Sequence, residues 1–376
     1  MTTTKALLQP LQLGDITLKN RITMAAMTRN RTEDTYPTEL MKKYYVQRAQ
    51  GGAGLIVSEG ILVSHQGAEW SNAPVMADEK HVAGWRVITD AVHQAGSYIY
   101  VQLGHVGRLA HPEARQQKLS GLPVYGPSAI AARGGKFREL PGVPGYVTPV
   151  AIEDPWVLIN QFKQAITKAK AAGFDGVEIH GAYGHLIPQF LDSTSNNRTD
   201  QWGGSVENRT RFALEIVKAA IEVFGKNVGL KLSPAGGQND VGMPLQETLE
   251  TFSYLVSEAD KLGVAYIALV RCTGPVVIDG VDRATPHDVI ESYVPFIKRA
   301  KVILNGAVSL EEGESLVASG KVDAVSIGLH FIAHPDLVRR FEREIELDRT
   351  PNFERIFPKV GEDLSLGYTD YVAVVA

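Results

Sequence analysis

The chain has 376 residues, 44% hydrophobic and 21% charged, with 36 glycines spread along it, the composition of a globular protein that buries a large core. Disorder and collagen-like repeats are thereby excluded. Its 38 Lys+Arg against 42 Asp+Glu leave a formal charge of −4 with no long block of one sign, so no nucleic-acid-binding face is expected.

The opening MTTTKALLQPLQLG lacks an apolar stretch of signal-peptide length, and no run of about 18 apolar residues occurs, so a cytosolic location away from membranes is the expectation. Residues 10 to 21 (PLQLGDITLKNR) read as a small hairpin. Short apolar or β-branched runs bounded by Gly or Pro then predict strands at 22 to 28, 54 to 60, 98 to 104, 176 to 181, 228 to 234, 266 to 270, 302 to 306 and 324 to 328. Helical segments alternate with them. Pro37 opens one that runs to Gly51, Ser205 precedes one that Gly225 closes, and Pro335 opens another.

Near-continuous apolar strands separated by amphipathic helices imply a parallel sheet covered on its outer face, and eight such units close most simply into a (β/α)₈ TIM barrel. A doubly wound sheet would carry a GxGxxG turn after an early strand, which is missing. The chain is thus expected to be one domain over 1–376, with the hairpin plugging the barrel bottom. The Gly- and Pro-rich stretch 105–156, inserted after the third strand, reads as an irregular lid above the mouth.

Active sites of such barrels lie at the carboxyl ends of the strands. There the sequence places Thr28, Glu59, Gln102, His180, Lys231, Asn305 and Gly328. Any one of these is readily a satisfied strand cap, but seven together point to a site. Asn305-Gly306 and Gly328 end the seventh and eighth strands, where barrels often hold a phosphate on backbone N–H groups, so a phosphorylated ligand is expected. Glu178 and His180 share a strand face, but His185 lies beyond it and no carboxylate cluster completes a metal set. No GxSxG elbow suggests a hydrolase. The single cysteine, Cys272, excludes an intrachain disulfide and a Cys-based zinc site, and is read as a buried inert thiol.

Residues 176–215, GVEIHGAYGHLIPQFLDSTSNNRTDQWGGSVENRTRFALE, together with NRITMAAMTR, YYVQRA, GLIVSEG, YVQLGHVGR, VGLKLSP and HPDLVRR, resemble the Old Yellow Enzyme family of flavin-dependent ene-reductases over essentially the whole chain. The resemblance implies FMN across the barrel mouth, NAD(P)H as reductant and a small-molecule substrate carrying an activated alkene. By position Thr28 corresponds to the partner of the flavin C4 carbonyl, Gln102 to the contact on its pyrimidine edge, and Lys231, often Arg in the family, to the cation near N1 and O2. Gly60, Asn305, Gly306 and Gly328 complete the cofactor-binding set. His180 corresponds to the first donor to the substrate oxygen, and Tyr183 stands where the second, usually Asn or His, is expected.

Two positions depart from the family pattern. His185 replaces the usual proton-donating tyrosine, leaving His185, solvent or a repositioned Tyr183 as the proton source. Gly328-Leu329 replaces Gly-Arg at the phosphate end, with His330 one residue on as a substitute cation. Two enzymatic readings follow: an ene-reductase, or a redox-neutral isomerase or epimerase in which His180, Tyr183 and His185 move a proton α to a carbonyl, either of them suited to natural-product tailoring. His105, Tyr125, Tyr146, Arg271, Thr273 and Tyr368 are further candidates to line the pocket.

Overall fold

The computed structural model describes residues 5–68, 70–134, 145, 147–359 and 361–374. Among them the eight expected strands all form: β1 (Ile22–Met24), β2 (Leu55–Leu62), β3 (Tyr98–Gly104), β4 (Gly176–Gly181), β5 (Val228–Leu232), β6 (Tyr266–Val270), β7 (Lys301–Asn305) and β8 (Ala324–Ile327). They pair in parallel and in chain order, and β8 pairs with β1, so the sheet is a closed barrel. The main helices of the outer ring are α1 (Glu39–Gln50), α2 (Glu79–Gln94), α3 (Trp156–Ala171), α4 (Val206–Phe224), α5 (Leu245–Leu262), α6 (Val289–Tyr293), α7 (Leu310–Ala318) and α8 (Leu337–Glu342).

The sequence signals act locally as expected. Ser205 Oγ accepts from the Asn208 N–H to cap α4, and Gly225, at φ 59°, ends it. Thr38 caps α1 in the same way, just after Pro37.

Strand alternation separates two apolar layers. One face packs on the helices; the other, including Leu55, Val57, Tyr100, Tyr266, Ala268, Ile303 and Ala324, fills the barrel. Leu11, Leu13 and Leu18 of the hairpin (Leu11–Leu13 with Ile16–Leu18) join this interior cluster at the amino ends of the strands, as a plug would.

Two deviations from the strand pattern bear on the site. The first strand stops at Met24, so Thr28 stands on the loop beyond it. In β2 the register with β3 shifts between Val57 and Gly60. This bulge turns Glu59 away from the mouth, where it accepts from the Arg29 N–H and the Tyr45 hydroxyl, and leaves Gly60 facing it. The described part of the 105–156 insertion is more ordered than an irregular excursion: it holds a short helix, Arg115–Ser120, and pairs Tyr125–Gly126 with Val150–Ala151. Arg133 of this insertion bonds Asp240 in the loop after β5.

Candidate active site

A pocket of about 340 Å³ opens at the carboxyl ends of the strands. It collects Thr28, Gly60, Gln102, His180, Tyr183, His185 and Lys231, which lie up to about 200 residues apart in the chain. A larger groove of about 660 Å³ lies between α6 and α7, reaching Arg271 and Cys272 just after β6, and shares no lining residue with this pocket.

His180 projects from the end of β4 and is almost wholly buried. Its Nδ1 accepts from the Ala182 N–H at 3.4 Å, which leaves the proton on Nε2 as a donor. The His185 ring stacks on it, centroids 4.3 Å apart, and His185 Nδ1 is buried with no hydrogen-bond partner among the described residues. Burial holds both rings neutral. His180 is pushed well below the ordinary histidine range by desolvation first, then by His185 and Lys231; His185 is pushed down to about 4 by desolvation.

Tyr183 lies in the left-handed region at φ 56°, unusual for a bulky side chain. Its N–H donates to Ser233 Oγ and its carbonyl accepts from Asn239 Nδ2, both at 2.8 Å, and these bonds hold the turn. The phenol reaches across the mouth: its ring lies 5.5 Å from Lys231 Nζ and its hydroxyl donates to Asn305 Oδ1 at 3.4 Å.

The roof combines Trp70 with Phe357, stacked at 4.4 Å. Phe357 belongs to the C-terminal segment, which is strapped down by Arg29 and Arg31. Arg29 donates to the carbonyls of Ile356 and Gly367, and Arg31 to those of Arg355, Ile356, Leu364 and Leu366. Trp70, Phe357 and Asn239 went unread in the sequence because they sit on loops that carry no period.

The other expected pocket residues lie elsewhere. Asn305, Gly306 and Gly328 do not line this pocket; they occupy the neighbouring ends of β7 and β8, where Asn305 Nδ2 donates to the Ser326 carbonyl. Arg271 faces the β7 loop instead, bonded to the Gly306 and Ala307 carbonyls and forked onto Glu312. Thr273 is exposed, and Cys272 is half-exposed rather than buried. His105 is buried against Gln66, and Tyr125 packs on the helical core. Tyr368 is fully buried and stacks on Tyr44, so it packs and does not reach the mouth. His330 lines a separate groove with Lys5 and Arg340. Tyr146 lies outside the described residues.

Comparison with known proteins settles what scaffold this is. Residues 6–348 match the NADH:flavin oxidoreductase / NADH oxidase family. The chain belongs to that family. It is 38% identical to the chanoclavine-I aldehyde reductase of Penicillium roqueforti (strain FM164), covering 97% of this chain and 95% of that one. It is 34% identical to a probable inactive reductase of Epichloe festucae var. lolii, covering 98% and 95%. Solved morphinone reductase shares 35% identity and superposes with a TM-score of 0.87, covering 99% of this chain and 97% of that one.

As an NADH:flavin oxidoreductase of the Old Yellow Enzyme type, the protein is an FMN-dependent ene-reductase that passes hydride from NAD(P)H through the flavin to activated alkenes. The pyrimidine end of the site suits this cofactor. Lys231 is a buried cation with no salt-bridge partner among the described residues, the Gln102 side-chain oxygen faces the pocket, and Gly60 leaves room that a Cβ would take. At the ends of β7 and β8, Gly306 (φ 105°) and Ala307 (φ 49°) present backbone in the left-handed region, and Leu329 is half-exposed after Gly328. No helix among the described residues is long and apolar enough to cross a membrane.

Proposed function

We propose that the enzyme reduces the C=C bond of an α,β-unsaturated carbonyl compound whose oxygen is held by His180 and Tyr183, and that Thr28, Gly60, Gln102 and Lys231 hold the flavin head while Asn305, Gly306 and Gly328 serve its ribityl phosphate. The observation that carries this reading is the meeting, in one pocket, of a donor imidazole with a buried lysine that has no counter-ion among the described residues. Bound FMN supplies the hydride equivalent taken from NAD(P)H.

His180 Nε2–H, donating to the carbonyl oxygen, withdraws electron density from the conjugated alkene and stabilises the enolate-like charge that builds on that oxygen. The Tyr183 hydroxyl supplies the second donor when it leaves Asn305. Lys231 stabilises negative charge at the pyrimidine edge. His185 is neutral near pH 7, so the reading gives proton delivery to water at the His180–His185 face and not to an imidazolium. The described part of the 105–156 insertion, tied to the β5 loop through Arg133 and Asp240, is the part we assign to the substrate lid. The resemblance to a chanoclavine-I aldehyde reductase favours a natural-product intermediate as substrate, and dependence on NAD(P)H favours the cytosol.

The test is enone-dependent NAD(P)H oxidation by the yellow holoenzyme, with a cyclic enone as substrate. His180→Ala is expected to lower it at least a hundredfold. Unchanged turnover in that variant would remove His180 from the mechanism. One observation favours a second reading, a redox-neutral isomerase: the half-exposed Leu329 where the family carries a phosphate-pairing arginine. Turnover at unchanged substrate mass without nicotinamide would establish it.

A further inference from the structure

One buried carboxylate has no part in the chemistry described so far. Glu178 lies on β4 two residues before His180 and on the same strand face, one layer deeper in the barrel, and is 4% exposed. Ion burial of this kind is costly unless every lone pair facing the protein finds a donor.

The barrel register supplies those donors in a single row. Gln102 of β3 is level with Glu178, Glu178 is level with Gly229 of β5, and Gly229 is level with Tyr266 of β6. Gly229 carries no side chain because the Tyr266 ring fills its place: a Cβ there would fall 2.1 Å from Tyr266 Cζ. Through this gap the Tyr266 hydroxyl donates to Glu178 Oε2 at 2.8 Å, and Gln102 Nε2 donates to Glu178 Oε1 at 2.7 Å.

A carboxylate only accepts, so it dictates which end of the Gln102 amide it faces. With the amide nitrogen turned down toward Glu178, the amide oxygen must face the mouth. It stands 3.3 Å from where a Cβ of Gly60 would be. We propose that Glu178, held in place by Tyr266 across Gly229, is the positioning residue that fixes the polarity of Gln102, so that the pocket offers an acceptor to the imide N–H of the flavin pyrimidine ring. This rests on the reading of Gln102 as a flavin contact.

Replacing the carboxylate by an isosteric amide should invert that polarity. In Glu178→Gln the Tyr266 hydroxyl still donates to the side-chain oxygen, the new NH₂ group faces Gln102, and Gln102 turns its own NH₂ toward the flavin N–H. FMN affinity of the full chain, followed by quenching of flavin fluorescence, is expected to fall ten- to a hundredfold. The exchange variant Gln102→Glu with Glu178→Gln keeps one carboxylate in the row and again presents an acceptor, so it should recover affinity to within about threefold of wild type. A purely structural role for Glu178 would not produce that recovery.

Far-UV circular dichroism and thermal melting establish that each variant is folded. Wild-type affinity in folded Glu178→Gln would overturn the assignment, as would failure of the folded exchange variant to bind FMN; if Glu178→Gln does not fold, the exchange variant alone decides. Wild-type protein that takes up no FMN would instead overturn the reading of the pocket as a flavin site, and the assignment with it.

Discussion

The imidazole rings of His180 and His185 lie face to face, their centroids 4.3 Å apart and their planes within 5° of parallel. Desolvation disfavours protonating either ring, and His185 and Lys231 add to this at His180, so both stay neutral well into the acid range. The His180 donor therefore persists where an ordinary histidine would already titrate. Enone reduction measured as kcat/KM against pH is expected to show no limb near 6.5 from these rings, and to fall only toward about 4. A limb near 6.5 that disappears in His185→Phe would contradict this.

The same shift has a stability consequence. His185 is pushed down from 6.5 to about 4 and His105 to about 3, so between these values and 6.5 the unfolded chain binds more protons than the folded one. The contribution is fully present above pH 6.5 and is lost as pH falls through the folded values. Thermal melting should show an acid loss of stability that is reduced in His185→Phe.

Glu59 titrates in the opposite sense. Burial lifts its carboxyl from 4.5 to about 7, against the pull of Arg29 and Arg31. The folded chain thus holds the extra proton between pH 4.5 and 7, and stability falls as pH rises across that window, by roughly 3 kcal/mol at most. Glu59→Gln keeps an acceptor for Tyr45 and Arg29 and removes the titration. It is expected to melt higher than wild type at pH 8 and to show little difference at pH 5; equal melting at both values would refute the assignment.

Tyr183 can give its hydroxyl proton to Asn305 or to a substrate oxygen, but not to both at once. With both variants saturated with FMN, because Asn305 is also assigned to the flavin phosphate, Tyr183→Phe should lower kcat/KM for the enone about tenfold, whereas Asn305→Ala, which frees the phenol, should raise it severalfold. Stopped-flow reoxidation of the reduced holoenzyme separates these effects from flavin reduction. Changes in the same direction for both variants would show that the hydroxyl is structural.

Leu329 offers a gain-of-function test. Leu329→Arg adds a guanidinium at the half-exposed position after Gly328, and a charge-assisted pair with the FMN phosphate should tighten binding about tenfold. Riboflavin, which lacks the phosphate, should bind the variant and the wild type equally. A parallel gain with riboflavin would place the effect elsewhere.

How much of this was legible in the sequence varies by residue. Strands and helices were readable because burial imposes a period, and once the barrel was in hand, Gln102, His180 and Lys231 were fixed at the mouth by their places on the strands. Glu178 was visible as a face-mate of His180, but its partners come from two other strands and depend on the gap at Gly229, which no local pattern reveals. Arg271 was expected near the pocket; its long side chain instead turned to the β7 loop, where carbonyls and Glu312 satisfy it better than an apolar roof would. Trp70 and Phe357 were unreadable because loops place side chains by tertiary contact alone.

Arg29 and Arg31 lie one and three residues after Thr28 in the β1 loop, and they grip the segment that carries Phe357. Floor and ceiling of the chamber are therefore fastened to one short stretch of backbone, and a chain clipped just before Arg355 would lose its ceiling and loosen its floor together. Proteolysis at the far end of the polypeptide would be felt some 330 residues upstream, as a change in how the ligand-bearing chamber opens.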